Sequence, residues 1–114
     1  MDLVFKIVGA DEWRAAEASG VFAGSGVDRA DGFIHFSTAA QAPGTAEKWF
    51  NGRQDLILVA IDASAFGAGL KWEPSRGGEL FPHLYEPMPM SAVVWSRALG
   101  VGEDGRLRFD DLTA

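Results

Sequence analysis

Two stretches of the chain combine histidine with residues that could do chemistry, and the first surrounds His35. The hydroxyl side chains of Ser37 and Thr38 follow it closely. A free imidazole titrates near pH 6.5, so His35 could hold a sugar hydroxyl or transfer a proton. A half-buried histidine bonded to the backbone explains the same pattern. Thr38 taken alone is explained as a helix cap.

The second stretch surrounds His83, which lies two residues from Phe81 and two from Tyr85. Side chains alternate along an extended segment, so these three would share one face. An aromatic face with one titratable group suits a planar ligand. The edge of an aromatic core would show the same pattern, with Pro82 and Pro87 keeping an edge strand from pairing.

Charged candidates stand a few residues before that stretch. Glu73 follows Trp72, and an adjacent indole would desolvate the carboxylate and raise its pKa enough for acid–base work. Arg76 lies in the loop 75–78, where its guanidinium and the loop N–H groups could close on a phosphate. The structural alternatives are a surface ion pair for Glu73 and a solvated loop position for Arg76.

A metal site is a further interpretation of the same residues. His35, His83 and one glutamate would supply two imidazoles and a carboxylate. No spacing in the chain is diagnostic of such a site, so we assign no metal, and the sequence identifies no cofactor. The chain has no cysteine, which removes thiolate ligands, thiol nucleophiles and disulfides.

Composition limits the classes of protein that the chain can represent. We expect one domain, because the chain has 114 residues. Its 16 acidic residues outnumber 10 basic ones, and no basic stripe typical of nucleic-acid binders occurs. No apolar run is long enough to span a membrane, and the N-terminus does not resemble a signal peptide. We expect a cytoplasmic monomer or weak homodimer whose partner is a small molecule, not a membrane or a nucleic acid.

The hydrophobic pattern predicts the elements that must position these residues. Apolar, β-branched runs predict strands at 3–8, 33–36, 55–62, 70–73, 92–99 and 107–109. Capping signals and apolar spacing predict helices at 11–19 and from Ser37 or Thr38 to residue 50. We expect a surface loop at 21–30 and fraying at 110–114. The continuous apolar run 55–62 predicts a central strand that is buried on both faces.

These elements together predict the fold class. About six strands and two or three short helices, without regular alternation, indicate an α+β fold with a mostly antiparallel split sheet. The Gly-rich segment at 24–26 does not change this, because the third glycine of a dinucleotide fingerprint is missing where Arg29 stands.

The segments that carry both histidines resemble one family. They are Asp31-Gly32-Phe33-Ile34-His35-Phe36-Ser37, Lys71-Trp72-Glu73 and Phe81-Pro82-His83-Leu84-Tyr85. Their sequence and order are similar to the small, largely bacterial family catalogued as domain of unknown function 952 (DUF952). The similarity extends over about residues 3–99. It implies an ADP-ribosyltransferase-like fold, in which a split antiparallel sheet carries a few helices.

The residues and the resemblance together favour a cleft for a nucleotide-like or ADP-ribose-like molecule. Its enzymatic form would be an ADP-ribosyl- or phosphoribosyl-type transferase, and the catalytic candidates are His35, Glu73 and His83. The candidate ligand-binding residues are Ser37, Thr38, Trp72, Arg76, Phe81 and Tyr85. The alternative is a non-catalytic ligand-binding or interaction domain that keeps the fold without the chemistry. One cleft can use both histidines only if their side chains lie within about 10 Å of each other.

Overall fold

The structure is a computed structural model, and it describes residues 2–50 and 52–109. The strands are β1 Leu3–Gly9, β2 Val21–Phe22, β3 Ile34–His35, β4 Leu56–Asp62, β5 Leu70–Pro74, β6 Leu80–Leu84, β7 Met88–Pro89 and β8 Val93–Leu99. The helices are α1 Ala10–Ser19, α2 Gly26–Asp31 and α3 Ala42–Trp49, with 3-10 turns at Ala63–Ala65, Arg76–Gly78 and Met90–Ala92. Every strand pairing in the described ranges is antiparallel, which confirms the α+β prediction.

The first sheet has the order β1-β4-β8, so the predicted central strand is central. Its side chains alternate between two apolar clusters. Val59 and Ile61 pack into one cluster, while Leu58 and Ala60 pack into the other on the opposite face. A strand that is buried on both faces needs apolar residues at every position, which explains the continuous run.

The second sheet has the order β3-β6-β5, and it carries both histidines. β6 is therefore a central strand, and the interpretation of Pro82 as protection of an edge strand is wrong. The backbone N–H of Phe36 donates to the carbonyl of Pro82 at 2.9 Å. A residue in an antiparallel ladder directs its N–H and C=O toward the same neighbour. An N–H on Pro82 would therefore point toward Phe36, which lies just beyond the end of β3. Its absence removes no hydrogen bond from the interior of the ladder.

Phe36 and Ser37 connect the two larger sheets. Immediately after the bond between Phe36 and β6, Ser37 and Phe5 of β1 exchange two backbone hydrogen bonds at 2.7 and 2.8 Å. The chain thus passes from the second sheet to the first within two residues.

The predicted surface loop at 21–30 is wrong, because this segment contains β2 and α2. The short helix is stabilised at its start, where the Asp28 carboxylate accepts the Ser25 N–H at 2.9 Å. It ends at Gly32, whose φ of 87° lies in the left-handed region that glycine adopts most readily. The three-residue spacing of Ser25 and Asp28 is typical of a helix cap, but the glycines around it favour the interpretation as a loop.

The second predicted helix begins later than expected, at Ala42, with Pro43 in its first turn. Thr38 and Gln41 do exchange the two bonds of a capping box, at 3.0 and 3.2 Å, in the turn before the helix. Gln41 also donates to the carbonyl of Leu80 at 2.9 Å, which ties this turn to β6. Thr38 therefore caps the turn before α3 and not the helix itself, whose N-cap residue is Gln41.

The predicted strand at 107–109 is wrong. Leu107 forms only an isolated antiparallel bridge with Val101, although Leu107 and Phe109 pack against one of the two apolar clusters. The predicted fraying at 110–114 lies outside the described residues.

Candidate functional site

A cleft of about 520 Å³ opens beside the β3–β6 pair. His35 and Ser37 line it from one chain segment, and Phe81 and His83 line it from β6. The two histidines are directly opposite each other in the strand register, and their ring centroids lie 5.5 Å apart. Both side chains therefore lie well within the separation that one cleft can use.

His35 is held by two carboxylates. Its Nδ1 lies 2.6 Å from Oδ1 of Asp28, and its Nε2 lies 2.9 Å from Oδ2 of Asp31. The backbone N–H of His35 donates to the same oxygen of Asp28 at 3.1 Å. An ionised carboxylate only accepts, so both ring contacts are hydrogen bonds at once when the ring carries both protons. His35 has no ring nitrogen left for a ligand in this arrangement.

Behind His35 lies a buried ion pair that the sequence analysis missed. Lys6 on β1 is buried, and its Nζ lies 2.9 and 3.0 Å from the two oxygens of Asp28. Burial lowers the pKa of Lys6, against the attraction of Asp28. Burial alone would raise the pKa of Asp28, but the bonds to His35, Lys6 and Ser25 hold it well below the usual range. The available signal was a lysine inside an apolar strand, which needs a buried partner.

His83 is held from one side only. Its Nδ1 lies 2.9 Å from Oε1 of Glu73, and the hydroxyl of Tyr85 donates to the same oxygen at 2.6 Å. Phe33 stacks on the His83 ring, with centroids 4.1 Å apart. The His83 ring is buried against these partners and also lines the cleft.

The predicted rise in the pKa of Glu73 is wrong, because hydrogen bonds to its carboxylate lower the pKa more than desolvation raises it. The Tyr85 hydroxyl and then the His83 ring stabilise the carboxylate and lower its pKa. The same bond raises the pKa of Tyr85. The indole of Trp72, the adjacent residue, belongs to the opposite face of β5 and lines a separate pocket.

Arg76 reaches the cleft from the turn between β5 and β6. Its guanidinium carbon lies 5.0 Å from the ring centroid of Phe81. Its Nη1 donates to Oγ1 of Thr45 at 3.2 Å, and this hydroxyl lies 2.9 Å from Oγ of Ser37. A Cβ on Gly44 would lie 3.1 Å from Nη2 of Arg76, so glycine allows the guanidinium to approach helix α3 closely.

Basic side chains are concentrated in the cleft. Lys48, Arg53 and Arg76 line it, and none of them forms an ion pair with any of residues 2–50 and 52–109. The acidic lining residues are Glu12 and Asp31, and Asp31 is already bonded to His35. The cleft thus carries an excess of positive charge in a chain whose net charge is −6.

The structure brings together five of the nine candidate site residues as cleft lining: His35, Ser37, Arg76, Phe81 and His83. Glu73 and Tyr85 are joined to the cleft through the His83 ring, while Thr38 caps a turn. Trp72 lies in the separate pocket, beside Leu3 and Phe66. The lining residues that sequence reasoning did not single out include Lys6, Thr45, Lys48, Trp49 and Arg53.

The described residues contain neither a cluster of metal-ligating side chains nor a membrane-spanning helix. Among residues 2–50 and 52–109, no three His, Asp or Glu side chains are grouped to hold a metal ion. Within the same ranges, no helix has the length and apolar character needed to cross a membrane.

Fold and site together define a small α+β domain with a two-histidine cleft at its second sheet. A family model described as "Protein of unknown function (DUF952)" matches residues 7–96, so the chain belongs to that family. A crystal structure of protein CC0527 from Caulobacter crescentus is similar, with 50% identity, 93% of each chain covered and a TM-score of 0.89. The solution structure of CC0527 has 51% identity and a TM-score of 0.84, covering 93% of this chain and 91% of that one. No curated protein matches the chain.

Proposed function

We propose that the cleft binds a small phosphate-bearing molecule that is nucleotide-like or ADP-ribose-like. In its enzymatic form the protein would be an ADP-ribosyl- or phosphoribosyl-type transferase with an ADP-ribosyltransferase-like fold. The observation that carries the proposal is the set of three basic side chains, Lys48, Arg53 and Arg76, that line the cleft without an ion-pair partner among residues 2–50 and 52–109. Positive charge in a concave site raises the local concentration of anions.

Arg76 is the best-prepared of the three for a phosphate. Its guanidinium lies over the Phe81 ring and is bonded to Thr45, so its position is defined before a ligand arrives. A planar guanidinium that keeps free N–H groups can donate two parallel bonds to phosphate oxygens. The hydroxyls of Ser37 and Thr45 lie beside it as further polar contacts.

Trp49 supports the planar part of the ligand. It lines the cleft at the end of α3, yet its side chain is 63% exposed. An exposed indole beside basic groups is a platform on which a base can stack, worth about 1–3 kcal/mol per base. The cleft volume of about 520 Å³ suits a ligand of nucleotide size, since ligand pockets span about 300–1,000 Å³.

A specific observation favours the alternative, a binding or interaction domain without chemistry. Both ring nitrogens of His35 are occupied by carboxylates, and Glu73 does not line the cleft. His35 therefore lines the cleft without a free ring nitrogen, and Glu73 lies outside the lining. An enzyme and a binder share the same ligand and differ in whether the ligand is converted. A cytoplasmic location and a monomeric or weakly dimeric state stay predictions.

Calorimetric titration with phosphate, ribose 5-phosphate, AMP, ADP-ribose and NAD tests the proposal. We expect AMP or ADP-ribose to bind, and Arg76→Ala to weaken that binding tenfold or more. Arg14→Ala is the matched control, because Arg14 is an exposed arginine on α1 outside the cleft. No binding by any of the five, or equal effects of the two variants, would contradict the proposal. Assay of the bound ligand for turnover then separates transferase from binder.

The base platform has its own matched pair of variants. Trp49→Ala and Trp72→Ala each remove an exposed indole, but only Trp49 lines the cleft. We expect Trp49→Ala to weaken AMP at least fivefold and to leave ribose 5-phosphate unchanged. Trp72→Ala should change neither affinity. If Trp49→Ala weakened the binding of AMP and of ribose 5-phosphate equally, this result would contradict the stacking contact and leave the proposed phosphate site unaffected.

A further inference from the structure

We propose that His83 is the residue of the cleft that exchanges a proton with a bound phosphate monoester, and that Glu73 and Tyr85 are its positioning residues. The inference rests on the proposed function, because it assumes that a phosphate enters this cleft. It goes further by naming the ligand chemistry and by separating the roles of the two histidines.

The orientation of the His83 ring carries the first step. Nδ1 is bonded to Glu73, which does not line the cleft, while His83 itself does. The edge of the ring that bears Nδ1 is therefore engaged away from the cleft, and Nε2 is the ring nitrogen left to face it. Among residues 2–50 and 52–109, no side chain or backbone group bonds to Nε2 of His83.

The second step is that this orientation is fixed. Glu73 receives bonds from both His83 and Tyr85 on one oxygen, and Phe33 stacks on the ring face. A carboxylate that accepts from one imidazole nitrogen sets the tautomer and leaves the other nitrogen as a proton acceptor. Glu73 and Tyr85 thus act through His83 and do not touch the ligand.

The distance to the anion-binding guanidinium is the third step. Phe81 and His83 lie on one face of β6, separated by about 6.6 Å along the strand. Arg76 lies over Phe81, so a phosphate bonded to its guanidinium would sit beside the His83 ring. Phosphate oxygens can then accept from Arg76 and from a protonated Nε2 together.

The charged and titratable groups around His83 come from several elements. Glu73 and Lys71 face it from β5, and Lys71 lies directly opposite it in the register. Tyr85 follows on its own segment, His35 lies opposite on β3, and Arg76 comes from the turn at Arg76–Gly78. His35 cannot take the same role while Asp28 and Asp31 occupy both of its ring nitrogens.

The ligand class follows from the complementary charges of a phosphate and a protonated imidazole. A phosphate monoester loses its second proton at about pH 6 and is a dianion above that pH. The tightest pair is a phosphate dianion with a protonated His83. Affinity should therefore fall as pH rises and His83 loses its proton, because the dianion then loses one donor.

The test combines NMR on the wild-type protein with calorimetry, and its probe is AMP. The titration of the His83 ring signals should move to higher pH by at least half a unit when AMP is added, while those of His35 stay in place. The affinity for AMP should fall at least threefold between pH 6.5 and 8.5 in the wild type and should stay level in His83→Gln. Glu73→Gln and Tyr85→Phe should each reduce the shift in the His83 titration.

The outcomes separate this inference from the proposed function. AMP binding that depends on Arg76, without movement of the His83 titration, would overturn the inference and leave the phosphate site in place. A pH dependence that persists in His83→Gln would overturn it as well. Absence of AMP binding at every pH would overturn both. The wild-type NMR titration decides the matter even if His83→Gln fails to fold.

Discussion

The two histidines face each other across β3 and β6, yet their surroundings differ in what they leave free. His35 has a carboxylate on each ring nitrogen, and one of these, Asp28, is fully buried together with Lys6. His83 has a single carboxylate, Glu73, which is partly exposed, and one ring nitrogen without a protein partner in the described ranges. The same residue type thus occupies a saturated site and an open one, 5.5 Å apart.

Under the proposed function, this difference places the contribution to stability on the His35 side and the contact with the ligand on the His83 side. Removing one partner of a buried ion pair leaves an uncompensated charge and costs several kcal/mol. Losing an exposed partner costs little, because water replaces it. We therefore expect variants on the His35 side mainly to lower the free energy of unfolding. Variants on the His83 side should mainly change the affinity for the ligand.

The largest expected effect comes from Asp28→Asn. The variant leaves Lys6 buried without its counter-charge and weakens the bond that holds His35, so we expect a loss of about 3–5 kcal/mol in the free energy of unfolding. Urea denaturation measures it. Asp31→Asn is the matched control, because its carboxylate is about half exposed and its one ion pair among the described residues is with His35. A loss below about 1 kcal/mol in Asp28→Asn would contradict the structural role of the pair.

The second effect is a loss of stability in acid. Asp28 has a pKa well below the value of about 3.9 that it takes in the unfolded chain, so its contribution is complete above that value. As the pH falls below about 4 toward the pKa of Asp28 in the folded protein, this contribution to the free energy of unfolding is progressively lost. We expect the wild type to lose about 1–3 kcal/mol between pH 5 and pH 2. Denaturant titrations at each pH give the free energy of unfolding as a function of pH. This free energy should fall less steeply toward low pH in Asp28→Asn than in the wild type. An equal dependence on pH in both proteins would contradict the assignment to Asp28.

The smallest effect on stability is expected from Glu73→Gln. The Glu73 side chain is 37% exposed, so water can replace its bonds and we expect little change in the free energy of unfolding. The variant should nevertheless change the tautomer of His83, which nitrogen-detected NMR observes directly. A large loss of stability with an unchanged His83 tautomer would reverse the contrast between the two sides.

The sequence predicts the parts of this molecule that depend on local pattern. The apolar run of β4 identified the central strand, and the aromatic spacing around His83 identified one face of β6. The loop position of Arg76 was enough to propose an anion contact, and the structure places that residue in the cleft.

The rest depends on contacts between residues far apart in the chain. The lysine inside the apolar run of β1 indicates that a buried partner is needed, but no local pattern identifies Asp28, 22 positions away on α2, as that partner. The pKa of Glu73 was predicted from its neighbour Trp72, but adjacent residues of a strand belong to opposite faces. The deciding neighbours of Glu73 come from the next strand and from Tyr85, which only the register brings close.

The two-residue passage at Phe36 and Ser37 has a mechanical consequence. Phe36 is bonded to β6 of the second sheet and Ser37 to β1 of the first, so the two sheets are joined through adjacent residues at this point. This junction places Phe5 and Ser37 together with His83 in the lining of the cleft. The second sheet carries both histidines and Arg76, while β1 of the first sheet carries Phe5 and Lys6, so a rotation of one sheet against the other would change the distance between these two sets of cleft residues.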